Sequence, residues 1–258
     1  MINNKKQEQK FKKMIISVKC KNWRQNDIQS EESDAEFYNG PRQKALERDK
    51  YTCQCCGFRA EKWQEVHHVN DDHSDNRISN LLTVCMFCHL TQHIGLAGMN
   101  KEATLIWLPE ISQPDLHHIV RAALYIKKQS EGGDMGGRSG FPMRGGGSDL
   151  KDAKEINQTA EKFFNILKSR AALAEEYFGF SDPSELANIL LNMEDSQYNK
   201  REEFLSGLRL LPLGKRVVNG QDKMGEIIDS WSRDTFDAMK PSIWSGLFSS
   251  ASSLIKDN

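Results

Sequence analysis

Tyr51-Thr52-Cys53-Gln54-Cys55-Cys56-Gly57-Phe58 and, further on, Val84-Cys85-Met86-Phe87-Cys88-His89 decide how this chain is read. Each stretch carries a Cys-x-x-Cys knuckle, Cys53 with Cys56 and Cys85 with Cys88, able to wrap two thiolates round one face of a tetrahedral ion. Twenty-eight residues separate the pairs, room for a hairpin and a return. Soft thiolates in this arrangement favour zinc, and four protein ligands close the site. The expected Zn2+ is therefore structural, with no open position for a substrate. Gly57 suits the tight turn after the first knuckle. Cys55, inside that knuckle, is an alternative ligand, and Cys20 reads as an ordinary small buried residue.

Working outward, 258 residues with 38% apolar and 28% charged side chains are enough for a real hydrophobic core. No stretch approaches the roughly 18 consecutive apolar residues of a membrane span. The start of the chain is polar and basic and has no apolar h-region, so no secretory signal is expected. The expected location is the cytoplasm, where six cysteines suit metal binding better than three disulfides. Net charge is −1, but it is unevenly spread. Residues 1–24 hold eight Lys or Arg against Glu8 alone. Residues 51–100 hold three against five acids, and residues 151–258 fourteen against seventeen. A duplex-binding protein usually presents a basic face. Only the N-terminal tail is basic here, and a solvated end accounts for it.

The chain divides into a basic tail with a short strand (1–40), the four-cysteine zinc domain (41–130), a glycine-rich flexible linker (131–149) and a helical region (150–258). Residues 14–18 form the apolar run taken as that strand. Pro41 opens a helix to about residue 50, at the position where a missing N–H costs nothing. Residues 104–108 read as a buried strand. Residues 114–128 form an amphipathic helix, with Leu116, Ile119, Val120, Ala123, Leu124 and Ile126 at helical spacing. Eight glycines in the sixteen residues 132–147 cannot bury enough surface to offset ordering entropy. Helical patterns then cover 149–177, 183–193 (with Asp182 as cap and Pro183 at its first position) and 222–239. Near the end Ile243, Trp244, Leu247, Phe248, Ala251, Leu254 and Ile255 form an apolar stripe opposite serines. It is either core or a groove-seeking helix.

Between and after the knuckles lie Glu65-Val66-His67-His68, Asn80, His89 and His93. His89 and His93 are four apart, so on a helix they share a face and can ligate one metal. This order resembles the HNH, or ββα-metal, nuclease motif, in which a four-cysteine zinc often buttresses a hairpin and helix. The resemblance implies an α+β fold, with an HNH-like ββα-metal zinc domain and a mostly α-helical C-terminal half. It implies His68 as general base, and Asn80 as the residue holding the loop that carries His68. It further implies His67, His89 and His93 as ligands of a second, catalytic divalent cation (Mg2+, Mn2+ or Ni2+), acting as a Lewis acid on a scissile phosphate. Gln92 departs from the motif, where many members carry Lys. The segment is net negative, which suits a cation and repels a phosphate backbone.

A wider resemblance rests on Tyr51-Thr52-Cys53-Gln54 with Cys56-Gly57-Phe58, and on the hexapeptide Leu108-Pro109-Glu110-Ile111-Ser112-Gln113. Leu167-Lys168-Ser169-Arg170, Glu176-Tyr177-Phe178-Gly179 and Leu208-Arg209-Leu210-Leu211-Pro212 extend it. Over about residues 40–240 the chain resembles the IcmJ/DotN family, cytoplasmic zinc-containing subunits of type IVB secretion and conjugation systems. The long glycine stretch and the full set of histidines depart from that family. Its implied role is an adaptor whose partners are the coupling ATPase and other subunits of the coupling complex, peripheral to the inner membrane. The alternatives are a working HNH endonuclease with DNA as partner, and a zinc-containing nucleic-acid-binding regulator.

Overall fold

The computed structural model describes residues 11–18, 37, 40–131, 148–231 and 241–256. Most of the basic tail, Cys20, the glycine-rich stretch 132–147 and residues 232–239 of the expected last-but-one helix lie outside them. So do the side chains of Ile243, Trp244 and Leu254.

Helix α1 (Pro41–Arg48) opens on the proline. Strands β1 (Gln64–His68) and β2 (Leu81–Cys85) pair antiparallel, with Gln64 opposite Cys85 and His68 opposite Leu81. Helices α2 (Met86–Gln92) and α3 (Ile94–Met99) follow directly. Two strands followed by a helix therefore stand where a ββα unit was expected. Next come β3 (Ala103–Trp107) and the long α4 (Gln113–Glu131).

The later half contains α5 (Ser148–Ser169), α6 (Ala171–Phe178), α7 (Pro183–Asn192) and the short α8 (Asp195–Tyr198) and α9 (Arg201–Phe204). It then adds β4 (Leu208–Pro212), β5 (Val217–Val218), β6 (Gln221–Asp222), α10 (Met224–Trp231) and α11 (Pro241–Lys256). Asp182 caps α7 by accepting from the Ser184 N–H, as expected. Among the described residues no helix is long and apolar enough to cross a membrane.

Three expectations change. Residues 14–18 form no strand and join no sheet among the described residues. Instead the Ser17 N–H donates to Thr91 O (2.9 Å) and Ser17 O accepts from the Ile94 N–H (3.3 Å), meeting backbone groups at the α2–α3 break. The helix expected over 149–177 divides after Ser169, where the Arg170 carbonyl accepts from the Trp107 N–H. Leu208–Pro212, within the half expected to be mostly helical, is a strand pairing antiparallel with β3, Leu105 opposite Leu210. A five-residue segment such as Leu-Arg-Leu-Leu-Pro has no period long enough to tell strand from helix, so only its partner decides.

That pairing joins the two halves in one core. Phe58, Val84 and Phe87 pack in the same cluster as Leu116, Val120, Phe163, Leu167, Ile227, Trp231 and Phe248. A second cluster unites Ile16, Leu90, Ile94 and Leu105 with Leu186, Leu190 and Leu210. In the terminal stripe Phe248, Ala251 and Ile255 are buried, with Phe248 against Phe163. Those positions belong to the core.

The hexapeptide 108–113 lies at the junction of the halves. Leu108 and Ile111 are buried, and Glu110 pairs with Arg170 at 3.1 Å. Arg170 also donates to the carbonyl of Ile255 in α11. Ser112 and Asp115 cap each other at the start of α4. The Gln113 amide donates to Leu210 O and its oxygen accepts from Leu210 N–H (2.7 and 2.8 Å), so the side chain extends the β4 ladder.

Two fragments separated by cutting at an engineered protease site within 132–147 should therefore co-elute on gel filtration. Elution as independent species would show that the shared strand pair does not hold them.

Candidate metal centres

Cys53, Cys56, Cys85 and Cys88 converge with their sulfur atoms within 4.8 Å of one another, all buried. Cys56 Sγ lies 3.7 Å from Cys85 Sγ, and Cys85 Sγ 3.4 Å from Cys88 Sγ. An ion with bonds of about 2.3 Å to sulfur needs tetrahedron edges of about 3.8 Å. The donor set therefore fits such an ion, and zinc suits it.

Local structure explains the convergence. Gly57, at φ +77°, turns the first knuckle so that its N–H reaches Cys53 O, while Cys53 N–H reaches Phe58 O. The second knuckle uses the end of β2 for Cys85 and the first turn of α2 for Cys88. The fifth thiol, Cys55, is buried and pushed up to about 12, chiefly by Cys53. Burial first, and neighbouring thiols second, push Cys85 and Cys88 well above the ordinary thiol range. Hydrogen bonds from the neighbouring thiols hold Cys53 well below that range. Cys53 pushes Cys56 up, but Cys85 and Cys88 hold it down at about 5. All four ligand thiols therefore carry charge together only with a cation among them.

Part of the compensating charge comes from the protein. Arg121 of α4 is 1% exposed, and its guanidinium donates to Cys85 Sγ at 3.0 Å. It lies 3.8 Å above the Phe58 ring, with Phe87 and Trp231 on its other sides. Burial alone would lower its pKa, but the charges of Cys85, Cys56, Cys88 and Cys53 raise it. A buried guanidinium beside thiolates and three aromatic rings is balanced only if the sulfurs are ionised.

His117, one helical turn earlier, sits with Nδ1 3.5 Å from Cys88 Sγ and Nε2 2.8 Å from Gln113 Nε2. Burial, then the charge of Arg121, keeps its imidazole neutral. Nε2 accepts from Gln113, so Nδ1–H donates to the sulfur. His118 reaches the Cys56 carbonyl at 2.7 Å. Sequence reasoning missed Arg121 and His117. The available signal was a cation and an imidazole four residues apart beside the apolar stripe of a helix.

The second cluster joins His67 on β1, His89 on α2 and His93 at the α2–α3 break, with ligand atoms within 4.8 Å of one another. Their ring centroids are 4.7 to 5.5 Å apart. His93 is not on one helix with His89, because α2 ends at Gln92. Glu65, two residues before His67 and so on the same strand face, accepts from His89 Nδ1 at 2.6 Å. Burial would push the Glu65 carboxyl up, but His89 and Arg216 hold it down at about 2. With Nδ1 committed, Nε2 is the nitrogen His89 offers a metal.

His68 and Asn80 stand elsewhere. Strand alternation turns His68 to the face opposite His67. There it is 6% exposed, with Nε2 2.9 Å from Asn76 Oδ1 and its ring stacked on His73. Asn80 ties the intervening loop closed: it donates to Asn70 Oδ1 and Asp75 O and accepts from Asn70 N–H. The structure thus brings three histidines and Glu65 together, and holds His68 apart from them.

Metal analysis of the purified chain should find one divalent ion on the four thiolates, and Cys85→Ser should unfold the 41–130 part. Sites of this kind contribute on the order of 10 kcal/mol to folding. Arg121→Met should speed release of that ion to a chelator by about 10- to 100-fold. A stable, folded chain without metal would remove the basis for this centre.

No family model matches the chain. It is 28% identical over 210 residues to the type 4 apparatus protein DotN of Legionella pneumophila, covering 78% of this chain and 82% of that protein. A match of that extent spans both halves, and it supports the family resemblance carried by the knuckle and the hexapeptide.

Proposed function

We propose that this chain is an adaptor subunit of a type IVB secretion or conjugation apparatus, a member of its coupling complex. The observation that carries the reading is the likeness to DotN over most of both chains. In this reading the four thiolates hold a structural Zn2+ in an HNH-like ββα unit. The ion fixes the first turns of α4, the helix on which the helical half packs. The protein then works as a rigid cytoplasmic piece at the inner membrane, and its partners are the coupling ATPase and neighbouring subunits. Tagged chain expressed in its own host should recover the coupling ATPase by affinity purification. A zinc-loaded, folded chain that recovers no apparatus component would refute the adaptor role.

The histidine cluster with Glu65 favours a second reading, metal-dependent DNA cleavage. His67, His89 and His93 would hold a divalent cation, with His68 as base and Asn80 as its loop anchor. The buried, Asn76-bonded position of His68 speaks against a base ready to accept a proton. If cleavage exists, plasmid nicking with Mg2+, Mn2+ or Ni2+ should vanish in His68→Ala while fold and zinc content stay unchanged. Nicking that persists in that variant would belong to another site.

A further inference from the structure

The histidine cluster is built by residues 65–93, yet the group that fixes one of its ligands comes from the other half of the chain. Arg216 lies between β4 and β5. One guanidinium nitrogen meets Glu65 Oε1 at 2.5 Å, and the other meets Glu102 Oε2 at 3.0 Å. The second oxygen of Glu65 accepts from His89 Nδ1. The second oxygen of Glu102 accepts from the Val217 N–H at 2.6 Å. A continuous relay therefore runs from the His89 imidazole through Glu65, Arg216 and Glu102 to the backbone of β5.

The relay is anchored at both ends. Glu102 is fully buried, and its carbonyl accepts from the Leu213 N–H. Lys215 donates to Asn100 O, and Arg216 N–H to Asp222 Oδ1. Arg216 itself is 14% exposed at its side chain. A guanidinium spanning two carboxylates in this way is a geometric device, because its planar fork holds both at set positions.

We propose that Arg216 is a positioning residue through which the C-terminal half sets the affinity of the histidine cluster for a divalent cation. Arg216 fixes the Glu65 carboxylate, and Glu65 fixes the ring of His89 and its tautomer. The inference rests on the reading of His67, His89 and His93 as a metal site. It adds that the site is complete only when the 213–217 segment is docked. By thermodynamic reciprocity, a cation at the histidines tightens that docking. The guanidinium charge by itself opposes a nearby cation, so the two effects of Arg216 have opposite signs and experiment can separate them.

The test uses the full chain with its thiolate centre loaded, titrated with Ni2+ by calorimetry, since imidazole ligands suit this ion. Arg216→Met and Arg216→Lys should each weaken Ni2+ binding by about 10- to 100-fold, the usual effect of losing such a support. The thiolate-bound ion should stay at its wild-type level. Lysine keeps the charge and loses the fork, whereas methionine also removes the repulsion, so a loss in both variants that is at least as large for lysine identifies positioning. Arg216→Met combined with Glu102→Gln removes the carboxylate stranded in the core and should show the same loss in a folded chain. In the wild type, Ni2+ should slow hydrogen exchange at the Val217 amide, and Arg216→Met should abolish that slowing.

Unchanged or tighter Ni2+ binding in the folded variants would overturn the proposal and leave the metal reading intact. A wild-type chain that binds no Ni2+ beyond its thiolate ion would overturn the metal reading, and this inference with it.

Discussion

Four ionisable sulfurs gathered inside an apolar core impose the constraint on which the rest of this structure depends. Thiolates without a cation would repel one another in a medium that screens them poorly, so the cluster needs positive charge at its centre and around it. The geometry of the sulfurs answers the first need, and Arg121 answers the second. The guanidinium enters on α4, and the same helix brings His117 to Cys88 and His118 to the Cys56 carbonyl. Helix α4 is therefore bound to both knuckles by polar contacts as well as by packing.

That attachment explains why the later half of the chain is not a separate appendage. Gln113 at the start of α4 serves His117 and β4 at once, linking the environment of the thiolates to the strand that completes β3. Arg170 links the hexapeptide to the last helix in the same manner. Loosening the metal centre would free the first turns of α4, and with them the sheet and the packed helices.

The histidine cluster follows a different logic. Its ligands come from a strand, a helix and the break after that helix, and they meet because the 14–18 segment bonds to both sides of the break. Its partner charges are a carboxylate on the same strand and an arginine from the far half. The alternation of β1 puts His68 on the opposite face, where the loop closed by Asn80 holds it against Asn76. Residues adjacent in sequence thus face a candidate metal site and a buried hydrogen-bond network.

The convergence of Cys53, Cys56, Cys85 and Cys88 was legible from the sequence, because two knuckles of fixed spacing can meet with little help from the rest of the fold. The helices at 41–48, 113–131 and 183–192 were legible too, from Pro41, the apolar period of 116–126 and the Asp182-Pro183 cap. The set of His67, His89 and His93 could be named from the HNH-like order of residues. The strand at 208–212 could not be read, since its alternatives differ only in the partner that satisfies its backbone. Arg121, His117 and Arg216 were equally silent, because a charged side chain shows its role only through what surrounds it. The tertiary structure alone decided that Arg121 faces sulfur, that His68 turns away from its neighbour, and that a residue of the C-terminal half holds Glu65. Each of these depends on contacts between segments far apart in the chain, which local pattern does not encode.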